Sequence, residues 1–120
     1  MLGTGEINLD ILMNEIGIDM DSVIELLNLY CMEMTAEMQQ VRIQTKAQNW
    51  AALQKTVHNI KGVSANLYLQ DMFAVSEEVD LRLKKNNYID IEHPIQNMLI
   101  VFENTQQSIK KALKLQGENA

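Results

Sequence analysis

Apolar residues return every three or four positions along most of this 120-residue chain. That spacing places them on one face of a helix and is incompatible with the two-residue period of strands. The clearest run is Trp50, Leu53, Val57, Ile60, Ser64 and Leu67. Val23, Leu27, Tyr30, Met34 and Val41 form an earlier stripe; Met72, Val75, Val79 and Leu83 form a later one. Ile95, Met98, Leu99, Phe102, Ile109 and Leu113 make a fourth, and the short set Leu9, Leu12, Met13 and Ile16 precedes them all. Composition agrees. There is 1 proline, aromatics are 5% of the chain and methionine occurs 8 times, whereas strands favour aromatic and β-branched residues.

Punctuation between the stripes sets the helix ends. The first helix spans Asn8 to Ile16, and Gly17 stops it. Ser22 and Glu25 have capping-box spacing, so the second helix is expected to start there and run to about Lys46. Its roughly 25 residues would span about 40 Å. Asn49 suits the N-cap of the third helix. The fourth is expected over about Leu69 to Lys85, followed by the turn-like Asn86 to Asp90. Pro94 fits the first turn of the last helix, where its missing N–H costs nothing. The first five residues and the tail from Gln116 to Ala120 are expected to fray.

Four amphipathic helices joined by short connections bury their stripes most simply as an antiparallel four-helix bundle. The fold class expected is therefore all-α, with a short N-terminal capping helix. A single domain over residues 1–120 is expected, with its core in about 8–115.

Several functions are disfavoured. A net charge of −6 and a pI near 4.8 argue against non-specific nucleic-acid binding. No apolar run approaches the roughly 20 residues of a membrane span, and no basic-then-apolar leader is visible. The lone Cys31 fits a reducing, cytoplasmic setting and reads as a core or boundary residue. Gly3-Thr4-Gly5 lacks the strand that a nucleotide-binding loop requires. His58 and His93 have no acidic or cysteine partners at metal-ligand spacing, so no metal and no cofactor is expected on this chain. His93 precedes Pro94 and reads as a turn residue. Met32, Met34 and Met38 read as core, and Lys84, Lys85, Lys110, Lys111 and Lys114 as solvated cations near helix C-termini.

The segment Val57-His58-Asn59-Ile60-Lys61-Gly62-Val63-Ser64 carries the chemistry. At about 100° per residue, His58 points away from the Val57–Ile60 stripe toward solvent. Ala51, Gln54, Lys55, Lys61, Gly62 and Ala65 share its face. A glycine inside a helix costs about 1 kcal/mol relative to alanine, and room for close approach to the imidazole would offset that cost. Lys61, one turn along, could reach a group attached to His58. A neutral imidazole is a nucleophile. Geometry alone leaves open that His58 is an ordinary surface residue and Gly62 a tolerated weak spot.

The run His58-x-x-Lys61-Gly62-x-Ser64 sits between Trp50 and Leu53 on one side and Leu67, Met72, Val79 and Asp80 on the other. In this it resembles the histidine-containing phosphotransfer (HPt) domain family of multistep phosphorelays. The resemblance implies a four-helix bundle in which His58 takes a phosphoryl group from a receiver-domain aspartate and passes it to another. Lys61 would neutralise developing charge and Gly62 would leave room for the partner. Asp80, or in its place Gln54, would hydrogen-bond the inner ring nitrogen. The implied partners are response-regulator receiver domains or a hybrid sensor histidine kinase, with Mg²⁺ on the receiver and not on this chain. A monomer without kinase activity of its own is expected. Two positions depart from the family pattern: Tyr68 stands where glycine is common, and Val57 where alanine often precedes the histidine. The rival reading is a helical docking module that binds a receiver without being phosphorylated.

Overall fold

Local capping chemistry sets most of the helix boundaries. In the computed structural model, which describes residues 7–118, Asn8 accepts a hydrogen bond from the Ile11 amide and opens α1 (Leu9–Ile16). Gly17 closes it in the left-handed conformation, at φ 78°, where lack of a side chain removes the strain. Asp19 accepts from the Ser22 amide at 2.8 Å and opens α2 (Met20–Lys46). The capping box expected at Ser22 and Glu25 is thus displaced. Aspartate at position 19 is a strong N-cap, and it draws Ser22 into the first turn. Asn49 caps α3 (Trp50–Asn66) through the Ala52 amide, as its position suggests. α4 is Gln70–Lys84 and α5 is Glu92–Glu118.

Three helix C-termini use one device without glycine. Gln48, Tyr68 and Asn86 each adopt a φ between 53° and 57°. The following amide then reaches back five residues: Asn49 to the Gln44 carbonyl, Leu69 to Ser64 and Asn87 to Arg82. This is the Schellman arrangement. Tyr68 therefore ends the histidine helix in the place and conformation that a glycine would take.

α2 to α5 contact one another in sequence order, and α2 also contacts α5, which closes the ring of four. The three-residue connections 47–49 and 67–69 make neighbours antiparallel. The inward stripes meet as one core that contains Leu27, Tyr30, Met34, Val41, Leu53, Ile60, Met72, Val79, Met98 and Ile109. α1 packs on α2 and shares a groove with Tyr68 and Leu69, so it covers that end of the bundle. Near the other end, Trp50 stacks on Tyr88 of the α4–α5 connection, ring centres 4.9 Å apart. That contact explains why Trp50 is half-buried and not in the core. Met34 and Met38 are core residues, whereas Met32 is exposed. Gln116 to Glu118 continue α5 and do not fray, because Gly117 fails to stop a helix that Ala112 and Leu113 still anchor to the core. The first five residues, with Asn119 and Ala120, lie outside the described residues. Among the described residues, no helix is long and apolar enough to cross a membrane.

Candidate functional site

Val57 and Ile60 are fully buried, and they fix the roll of α3. His58 lies between them in sequence and is directed outward, its side chain 63% exposed. Ala51, Lys55, Gly62 and Ala65 are exposed on the same side, while Gln54 and Lys61 are half-buried. A Cβ built on Gly62 meets no atom within 4 Å. Packing within the molecule therefore does not require glycine there.

α4 supplies the second half of the site. Asp80 follows the core residue Val79 and is turned inward with it; its side chain is fully buried. A buried carboxylate must be paired, and three groups converge on its Oδ2. His58 Nδ1 lies at 3.4 Å and Lys61 Nζ at 3.0 Å, both from α3. Lys84 Nζ lies at 2.9 Å, from the next turn of α4. Burial pushes the Asp80 carboxyl up, but the bonds from Lys84, Lys61 and His58 outweigh it and hold the group below its ordinary 3.8. The group is thus an acceptor only. In the neutral ring, Nδ1 of His58 is then the nitrogen that carries the hydrogen, which leaves the lone pair on Nε2. At 3.4 Å this N–H···O contact is long and weak beside the two lysine bonds.

The residues singled out in the sequence separate into those that meet and those that do not. His58, Lys61 and Asp80 form one cluster, and Gly62 lies beside it. Gln54 shares the face but makes no hydrogen bond to His58, whose inner nitrogen faces Asp80 instead. Lys61 is committed to Asp80 and is not poised free beside the imidazole. Ser64 belongs to the core. Its hydroxyl pairs with Tyr30 at 3.0 Å and ties α3 to α2; burial pushes the Tyr30 phenol up to about 12. His93 is exposed at the start of α5. Lys84, expected as a solvated cation near a helix C-terminus, is instead part of the cluster. The signal was present, because Asp80 and Lys84 are four residues apart on one helix, the spacing of an intrahelical ion pair. Two buried atoms, Asp80 Oδ1 and Ser76 Oγ, have no hydrogen-bond partner among the described residues. Nor do the described residues contain a group of three or more His, Cys, Asp or Glu that could hold a metal ion.

Comparison with curated proteins and with solved structures returned no match. The family model of the Hpt domain matches residues 25–114, from the first turns of α2 to the far part of α5. The match covers the histidine helix, its partner α4 and the bundle around them, and it leaves out α1. Hpt domains are helical bundles with a histidine phosphotransfer role in phosphorelays, carriers rather than kinases, and they interact with receiver domains. On that match and that architecture, this chain belongs to the Hpt domain family.

Proposed function

We propose that this protein shuttles a phosphoryl group between receiver-domain aspartates through Nε2 of His58. The observation that carries the reading is the 3.4 Å approach of His58 Nδ1 to the buried, ionised Asp80. It keeps the hydrogen on the inner nitrogen and the lone pair on the outer one. That lone pair attacks the phosphorus of an aspartyl phosphate. The P–N bond forms, the P–O bond to the partner's carboxylate breaks, and the carboxylate leaves with the bonding electrons. The Nδ1 hydrogen stays between His58 and Asp80 and spreads the positive charge that develops on the ring. Return to a second aspartate reverses these steps. Lys61 would offer its charge to the transferred group. The receiver would cover the face that carries Ala51, Lys55, Gly62 and Ala65, and would bring its own Mg²⁺.

The test is transfer of labelled phosphate from a panel of phosphorylated receivers. The parent should take up label that is stable to base and labile to acid, as a phosphoramidate is. His58→Gln should take up none while keeping its melting temperature, since an exposed substitution shifts stability by about 0.5 kcal/mol or less. His93→Gln should be labelled like the parent. Binding of a receiver with no label on the parent would instead favour a docking module.

A further inference from the structure

Asp80 presents two oxygens and uses one. His58, Lys61 and Lys84 all reach Oδ2, and the shortest approach is that of Lys84, at 2.9 Å. The two lysines differ in where they are rooted. Lys61 stands on α3, one turn beyond His58, with its side chain 19% exposed. Lys84 stands on Asp80's own helix, one turn beyond the carboxylate, and is 43% exposed. One of the two is therefore placed to follow His58 and the other to stay with Asp80.

Lys61 cannot serve Asp80 and a phosphoryl group on His58 equally well. To turn toward the phosphoryl group it must loosen its bond to Oδ2. Were it the sole lysine there, its departure would leave a buried carboxylate held only by the long contact to Nδ1. Such a charge is expensive to strand. With Lys84 in place the carboxylate keeps a close cation throughout. It also keeps the orientation that His58 needs.

We propose that Lys84 is a positioning residue for phosphoryl transfer: it holds Asp80 ionised and in place, and so frees Lys61 to move from Asp80 to the phosphoryl group on His58. The inference rests on the phosphotransfer reading given above. The charged and titratable groups paired with Asp80 are Lys61 and His58 from α3 and Lys84 from α4. The low titration of Asp80 is consistent with their joint action.

The experiment compares the parent with Lys84→Gln, Lys84→Arg, Asp80→Asn and the Asp80→Asn/Lys84→Gln double variant. All are kept at a temperature where circular dichroism shows the full helical signal. Two quantities are read: the rate of phosphate uptake from a phosphorylated receiver, and the titration of the Asp80 carboxyl carbon by NMR. Lys84→Gln should transfer about tenfold more slowly, the loss of one charge-assisted bond, and its Asp80 should titrate at higher pH. Lys84→Arg should restore both. In the Asp80→Asn background, Lys84→Gln should change the rate less than about twofold, because the two residues act as a unit. A Lys84→Gln protein with the parent's rate and the parent's Asp80 titration overturns the inference and leaves phosphotransfer intact. So does an equal loss of rate in the Asp80→Asn background, which would place Lys84 elsewhere in the reaction. A parent that accepts no phosphate from any receiver overturns the phosphotransfer reading and this inference with it.

Discussion

Lys61 places its ammonium 3.0 Å from Oδ2 of the fully buried Asp80. The cation therefore has work to do before any phosphate arrives: it helps to neutralise a charge that the fold has taken out of water. This changes what a substitution at position 61 should do. From its place one turn beyond His58 alone, Lys61→Ala would be expected to slow transfer without unfolding the bundle. The geometry adds a stability cost.

Lys61→Ala should destabilise the bundle by about 1.5–3 kcal/mol, the range for a hydrogen bond to a charged group. It should not unfold it, because Lys84 and His58 still hold Asp80. Urea unfolding at pH 7 measures the cost. A loss below about 0.5 kcal/mol would mean that the Lys61–Asp80 bond is scarcely formed in solution.

Acid should weaken the protein through the same carboxylate. Burial raises the Asp80 pKa, and Lys84, Lys61 and His58 lower it by more, so the folded value lies below the ordinary 3.8. The group's contribution is then complete above the unfolded-state value, and it is lost as pH falls below about 4 and through the lower folded value. Asp80→Asn should cost stability at pH 7 and show a flatter decline below pH 4. Its cost at pH 7 should stay modest, because Lys61 and Lys84 can turn to water when the carboxylate goes. Melting curves from pH 7 to pH 2.5 would decide this; parallel declines for parent and variant would acquit Asp80.

Most of this architecture was legible because it rests on local rules. The stripes named every long helix, and Asn8, Gly17 and Asn49 marked real ends. At the start of α2 two capping signals compete within four residues, and Asp19 prevails over Ser22. The site was half legible. His58 and Gly62 are properties of one helix face, which periodicity can place. The triple convergence on Asp80 is a property of two helices and their relative roll, which periodicity cannot place. Lys84 shows the limit well: its spacing from Asp80 was visible, but nothing in the sequence said that Asp80 is buried and in need of a second cation.

Ser64 and Ser76 are both fully buried, and their hydroxyls differ in one respect. Ser64 pairs with the Tyr30 hydroxyl, whereas Ser76 has no partner among the described residues. Ser64→Ala should cost about 1–3 kcal/mol, because it strands a buried phenol. Ser76→Ala removes an unsatisfied oxygen, so it should be neutral or stabilising by up to about 1 kcal/mol. Chemical denaturation of the two variants side by side gives the answer. If Ser76→Ala proves the costlier change, its hydroxyl has a partner such as an ordered water.

Tyr68 holds φ at 57° at the end of α3, and the residue is 48% exposed. A side chain in the left-handed region costs about 1–2 kcal/mol, and glycine escapes that cost. Tyr68→Gly should therefore be more stable than Tyr68→Ala by about 1 kcal/mol. Within a continuing helix the order would be reversed by a similar amount. Thermal melts of the pair thus test whether the histidine helix stops at this residue, and alanine proving the better substitute would show that it does not.

Gly62 gives the sharpest separation of stability from function. It lies in the interior of α3, exposed, four residues after His58 and on the same face. A Cβ there would touch nothing within 4 Å, so the first added carbon brings no clash to set against the gain in helix propensity. Gly62→Leu should stabilise the bundle by roughly 0.8 kcal/mol. The new side chain would stand where a receiver must approach the imidazole, and transfer should fall at least tenfold. Gly62→Ala, which adds one methyl group, should be stabilising by about 1 kcal/mol with a milder loss of transfer. Melting temperature and transfer rate are read on the same preparations. Gly62→Leu that is less stable than the parent would place position 62 on the wrong face. Gly62→Leu that transfers at the parent rate would show that the space beside His58 is not used by the partner, and would leave the glycine without a functional reason.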